Sequence, residues 1–222
     1  MTTFLILFVF LLVLAFFTNY FLSHSFLGNR WRLFVAPGVI FHELCHAAAC
    51  VITGAKIVNI SFFDKEGGSV THQKPIIPIF GPIIISTAPL ILGILVFYFL
   101  ASRIHLGNTL DFNALYLNFR STINSIDFSS WQNIIILYFL ISVSVTMTPS
   151  RQDLTNMLIP IIILTGFFYL ILRYTAFTFN RFDFLFSKLS LVLNMVVFIL
   201  IAFTFVSFVL FLATKLILKK SF

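Results

Sequence analysis

Polar residues are rare along this chain, and their positions divide it into apolar runs. Residues 4–22 form an unbroken apolar run of about the length an α-helix needs to cross a bilayer. A short polar stretch at 23–32 follows, in which Arg30 and Arg32 flank Trp31, the chemistry of a membrane–water interface. A second run covers 34–52. Residues 56–72 then change period: Lys56–Phe63 alternates partly and is rich in β-branched and aromatic residues, Asp64–Gly68 is a turn signal, and Ser69–His72 can return as a strand. A β-hairpin is expected there. Residues 75–100 are apolar but punctuated by Pro75, Pro78, Gly81, Pro82, Pro89 and Gly93. That pattern predicts a third span with a broken or re-entrant first part, and irregular backbone at membrane depth needs protein or water around it.

Residues 101–133 are the longest polar stretch, with a loosely amphipathic segment at 111–120 that could lie at the interface as a short helix. A fourth run begins at Ile134 and turns polar between Ser142 and Asn156. Runs at 154–172 and 189–213 complete six expected spans, separated by a basic loop at 173–188. The expected fold class is an all-α polytopic membrane protein of about six transmembrane helices with a small β-hairpin. Three segments follow: a first span and loop (1–33), a core (34–172), and a C-terminal span with a basic tail (173–222). The first run lacks the basic start and small-residue cleavage site of a secretory signal and is expected to be retained.

Composition agrees. The 222 residues are 60% hydrophobic and 9% charged, against about 25% charged in a soluble domain, so there is no room for a large soluble unit. A net charge of +7 does not imply nucleic acid: the cations are scattered between spans, where lipid headgroups are the expected partners. Under six spans, Lys and Arg divide evenly between the two sides, so orientation is not readable. Phe occurs 31 times and is read as lipid-facing bulk. Cys45 and Cys50 fall in one expected helix, where a disulfide is geometrically poor.

The chemistry is concentrated in Phe41-His42-Glu43-Leu44-Cys45-His46. Histidines four apart project from one helix face, can grip one Zn²⁺, and leave Glu43 placed to act on water at the metal. In a chain with five His, a chance H-E-x-x-H is on the order of one in a thousand. A carboxylate inside a span also costs at least about 2.5–3.5 kcal/mol unless paired, hydrated or bound to a cation. The alternative is a His/Glu hydrogen-bond cluster that fixes helix packing, though such a cluster does not need this order and spacing.

Catalytic zinc takes three protein ligands. Cys50 lies on the same face, but a helix rises about 12 Å from His42 to Cys50, too far to converge on one ion. Asp64, Glu66, Asp111, Asp127 and Asp183 fall in expected polar loops. Asp153 sits between apolar runs where a broken backbone could carry it to the site; the Ser150-x-x-Asp153 spacing equally fits a helix start. His72 is expected as a surface residue at a strand end.

With an H-E-x-x-H in a span, a following hairpin, Gly81-Pro82 in the third span and Pro149-Ser150-Arg151-Gln152-Asp153 later, the chain resembles the site-2 protease family of intramembrane zinc metalloproteases over roughly residues 37–172. The resemblance implies zinc held by His42, His46 and Asp153, Glu43 as catalytic base, and a membrane-embedded protein or peptide as substrate. It would be a divergent, minimal member: Ile83–Ser86 follow Gly-Pro where relatives often carry Asn, Leu154 replaces a usual Gly, and no PDZ-type domain is read. The rival functions are a non-catalytic zinc-binding scaffold and a zinc transporter. A transporter would line a path with several ionisable groups, whereas Glu43 is the only acid expected inside a span. A prenyl-protein-processing protease would carry a second Glu-rich zinc motif, which the sequence lacks.

Overall fold

The computed structural model describes residues 2–64, 67–103, 124, 126–147, 152–153, 155–156, 162–163, 170 and 183–219. It is mostly helical. Helix α1 (Thr2–Ser23) is followed by a 3₁₀ turn (Gly28–Arg30), a one-turn helix α2 (Trp31–Phe34) and helix α3 (Ala36–Ile52). The hairpin strands are β1 (Ile57–Asp64) and β2 (Gly67–His72), and helices α4 (Phe80–Arg103), α5 (Trp131–Thr146) and α6 (Asp183–Lys219) complete the described elements.

Helix α1 buries Leu7, Leu11, Ala15, Thr18 and Leu22, a stripe at spacings of three and four, while Ile6, Val9, Val13, Phe16 and Phe17 face outward. The stripe packs on α6, whose Val192, Leu193, Val196, Val197 and Leu200 are buried. Polar pairs hold the register: Thr18 and Thr204 hydroxyls are 2.6 Å apart, and the Phe26 amide donates to Thr214 Oγ1 at 2.9 Å. The rings of Phe208 and Phe211 lie 5.2 and 5.5 Å from that of Phe21. Apolar side chains on the outer faces are what a lipid environment accepts. Among the described residues, three helices are long and apolar enough to cross a membrane, or four if the bent pair Gly28–Phe34 and Ala36–Ile52 forms one span.

Helix α3 starts with Pro37 in its first turn, where no amide hydrogen bond is lost. It ends in a Schellman arrangement: Gly54 takes φ +70°, its amide donates to the Val51 carbonyl, and the Ala55 amide donates to the Cys50 carbonyl at 2.8 Å. That reversal feeds directly into β1. The two strands pair antiparallel through Ile57–His72, Asn59–Thr71, Ile60–Val70 and Ser61–Ser69, with irregularities between Ile57 and Asn59 and beyond Ser61. Both strands contact α3.

Helix α3 is wedged between α4 and α5. Gly38 permits this on the α5 side. A Cβ there would collide with the Ser142 carbonyl and lie 2.6 Å from Thr146 Oγ1, so the backbones meet where only glycine fits. Deeper in the bundle, Val39, Leu90, Ile94, Phe97, Leu140 and Val143 join the α1–α6 residues in one apolar core.

Two expectations are revised. The irregular first part expected of the third run is confined to residues 73–79, and α4 runs unbroken from Phe80 through Pro89. The sharp bend instead precedes α3, where the α2 and α3 segments meet at 86°. Helix α6 begins at Asp183, inside the stretch expected to be a basic loop, because Phe184, Leu185 and Phe186 continue its apolar pattern. The amphipathic segment at 111–120 and nearly all of the fifth run lie outside the described residues, so the count of six spans is not tested.

Gly38→Ala should separate α3 from α5 and destabilise the protein by about 1–3 kcal/mol, as overpacked cores do. Thermal unfolding in detergent measures this, and an unchanged midpoint would contradict the close approach.

Candidate metal centre

The mid-section of α3 carries the chemistry. His42, Glu43 and His46 are all buried, as is Asp153, which follows α5 and has local helical backbone. The helical repeat stacks the two imidazoles one turn apart with ring centroids 4.7 Å from each other. Their Nε2 atoms are 3.1 Å apart. Asp153 closes the third corner: Oδ1 is 3.5 Å from His46 Nε2 and Oδ2 is 3.9 Å from His42 Nε2. One ligand atom from each of the three residues can be chosen so that all lie within 4.8 Å of one another.

These distances have a chemical meaning. Ligands on a tetrahedral zinc at about 2.0–2.1 Å are separated from each other by roughly 3.3 Å. The 3.1 Å between the two Nε2 atoms is close to that separation, and the carboxylate presents one oxygen to each imidazole at 3.5 and 3.9 Å, near enough to share one ion with them. Two neutral imidazoles and a carboxylate are also a common donor set for zinc. The second nitrogens complete the test. His46 Nδ1 lies 2.8 Å from the Ile85 carbonyl oxygen on α4; a carbonyl only accepts, so Nδ1 carries the proton and Nε2 presents its lone pair to the other two groups. His42 Nδ1 is buried without a hydrogen-bond partner. A buried ring nitrogen left unbonded is uncommon, and here it accompanies an Nε2 aimed at the metal position. The residues fit a bound divalent cation.

Glu43 points to the hairpin instead. A Cβ added at Gly68 would fall 2.6 Å from Glu43 Cγ and 2.7 Å from Cδ, and closer still to Oε1. The β2 backbone therefore lies directly against the carboxyl side chain, and glycine at 68 is what allows it.

Among the other candidates, Cys50 is fully buried in a small apolar cluster with Cys45, Ala49, Ala55, Ile85 and Ala88, away from the metal-binding group. His72 lies at the end of β2 opposite Ile57, within hydrogen-bond distance of the Gln73 carbonyl. Asp64 ends β1, and Asp127 accepts from the Ser129 amide. The helix-start alternative for Asp153 invokes Ser150, which lies outside the described residues; the Asp153 carboxylate itself faces the imidazoles. Sequence reasoning did not find the Ile85 carbonyl or Gly68. A backbone acceptor leaves no mark of residue type, and the Gly67-Gly68 pair was legible only as a turn.

The fold and site together are apolar helices around a buried His/His/Asp group that could hold a metal ion, with the Glu43 carboxyl one residue along the same helix. In a comparison with protein families, the family described as Peptidase M50B-like matches residues 5–112 of the chain. No curated protein and no solved structure matches the chain. The matched segment includes α3 and the hairpin, while Asp153 lies beyond it.

If the three groups act as one site, His46→Ala and Asp153→Ala should each lower zinc affinity by at least about 100-fold relative to wild type. Metal analysis of purified protein after equilibration with buffered zinc measures this, and full occupancy in Asp153→Ala would remove that residue from the ligand set.

Proposed function

We propose that this protein is a multi-pass intramembrane zinc metalloprotease that hydrolyses peptide bonds of membrane-embedded substrates. The observation that carries the reading is the triangle of His42 Nε2, His46 Nε2 and Asp153 carboxylate oxygens, with Glu43 one residue along the same helix. His42, His46 and Asp153 would hold Zn²⁺. Bound there, the ion supplies Lewis acidity, polarising a carbonyl and bringing the pKa of a water toward about 7.

The chain's own residues do the rest. Glu43 is the general base: it takes a proton from the attacking water and returns it to the leaving amine. The Ile85 carbonyl holds the His46 ring in orientation. The apolar bundle limits bulk water around the site and strengthens each charge interaction there.

A transmembrane substrate helix hides its carbonyls in internal hydrogen bonds, so it must unwind locally before attack. The hairpin offers a place for the unwound segment. It is a two-stranded sheet, β2 runs beside Glu43 at Gly68, and an extended peptide can add to a sheet edge through backbone hydrogen bonds. Such docking would bring a scissile amide alongside the base.

A zinc-binding scaffold would fill all four coordination positions from protein. The described residues supply a group of three, which suits an open fourth position. The peptidase family also weighs against a transporter.

Glu43→Gln should abolish cleavage of a membrane substrate, by about 10³-fold or more, while zinc content stays at the wild-type level. Wild-type turnover in that variant would contradict the assigned role. Gly68→Ala should lower cleavage at least about 10-fold with zinc retained, because the new methyl displaces the Glu43 carboxyl; unchanged turnover would detach the hairpin from the chemistry.

A further inference from the structure

Proline 89 lies inside α4, and α4 continues for more than three turns beyond it. In an α-helix the amide of residue 89 would donate to the carbonyl of residue 85. Proline has no amide hydrogen, so the Ile85 carbonyl loses its i+4 donor, and the pyrrolidine ring crowds that carbonyl and tilts it off the helix axis. This is the same carbonyl that lies 2.8 Å from His46 Nδ1 on α3, a buried contact between residues 39 positions apart. Ile85 and His46 are both buried, and Ala88, Cys45 and Ala49 pack α4 close to α3 at this level.

We infer that Pro89 is a positioning residue for the metal centre: by withholding an amide hydrogen it frees the Ile85 carbonyl to accept from His46 Nδ1–H, which fixes the ring tautomer and aims Nε2 at the site shared with His42 and Asp153. The two needs are reciprocal. A buried carbonyl stripped of its helical donor requires another one, and a metal-binding histidine requires an acceptor for its second nitrogen. Helix α4 supplies the first by a missing proton, α3 supplies the second by its register. The bland account of Pro89, a kink that merely shapes α4, does not explain why the stripped carbonyl is the one that meets the ligand. The inference rests on the reading of His46 as a metal ligand, but its first test does not.

That test is the ¹⁵N spectrum of histidine-labelled, metal-free full-length protein in bilayers, with His46 assigned by difference from His46→Ala. The expected result is a His46 ring protonated and hydrogen-bonded at Nδ1. A wild-type ring without a proton at Nδ1 overturns the inference whatever any variant does. Pro89→Ala restores a helical donor to Ile85; it should shift His46 toward the Nε2–H tautomer and weaken zinc binding by about 10–100-fold in a chelator competition, the range for losing a ligand's outer hydrogen bond. Thr87→Ala is the control, because it removes a hydroxyl that donates to the Ile83 carbonyl on the same helix and leaves Ile85 alone; its zinc affinity should stay within about 3-fold of wild type. A Pro89→Ala protein of wild-type helicity that keeps both the tautomer and the affinity would overturn the inference. Failure of the wild type to bind zinc would refute the proposed function instead, and the tautomer result would stand on its own.

Discussion

Two imidazoles and a carboxylate converge inside a bundle whose other buried residues are mostly apolar, and the structure must make that convergence tolerable. Burying such groups without partners is strongly unfavourable. Each group is contributed at a defined point: the histidines by the repeat of α3, the aspartate by the segment after α5, and an outer acceptor for His46 by α4. The rest of the fold serves that meeting. Gly38 lets α3 approach α5 at backbone distance, and the small residues Ala49 and Ala88 lie in the cluster that joins α3 to α4. A bulkier residue at Gly38 would move α3 away from the helix that leads to Asp153.

The capping of α3 links the metal group to the hairpin. Gly54 reverses the chain within one residue of the helix end, so β1 starts beside the helix and β2 returns along it. Gly68 then meets the Glu43 side chain. Two glycines, one for its positive φ and one for its missing Cβ, thus set how the sheet lies on the carboxyl group. The His/His/Asp group and the hairpin are thus both tied to the stretch of α3 around Glu43, and both are built from about 35 consecutive residues plus one aspartate.

Much of this was legible in the sequence, for physical reasons that also explain the misses. Spacing of four on a helix is a local property, so the pairing of His42 with His46 followed directly. The Gly54 helix end and the strands flanking Asp64–Gly68 were likewise local signals. Asp153 is a long-range partner, and spacing alone left it equally suited to capping a helix; only the folded chain aims its carboxylate at the imidazoles. The prolines of residues 75–100 misled in detail. Pro75 and Pro78 precede α4, Pro82 fits its first turn, and Pro89 is accommodated within it, so α4 stays continuous. The sharp bend lies instead at Val35, where α2 ends and α3 begins with Pro37 in its first turn. Interactions made by backbone atoms, such as the Ile85 carbonyl, have no sequence signature unless a proline four residues on betrays them.

The central claim is that one divalent cation sits among His42, His46 and Asp153. X-ray absorption spectroscopy at the zinc edge on zinc-loaded wild-type protein tests it most directly. The account predicts one zinc per chain in a nitrogen/oxygen shell at about 2.0–2.1 Å, with the outer scattering of two imidazoles and no sulfur. A sulfur neighbour at about 2.3 Å, which would bring Cys45 or Cys50 into the shell, or a zinc with no imidazole scattering, would contradict it.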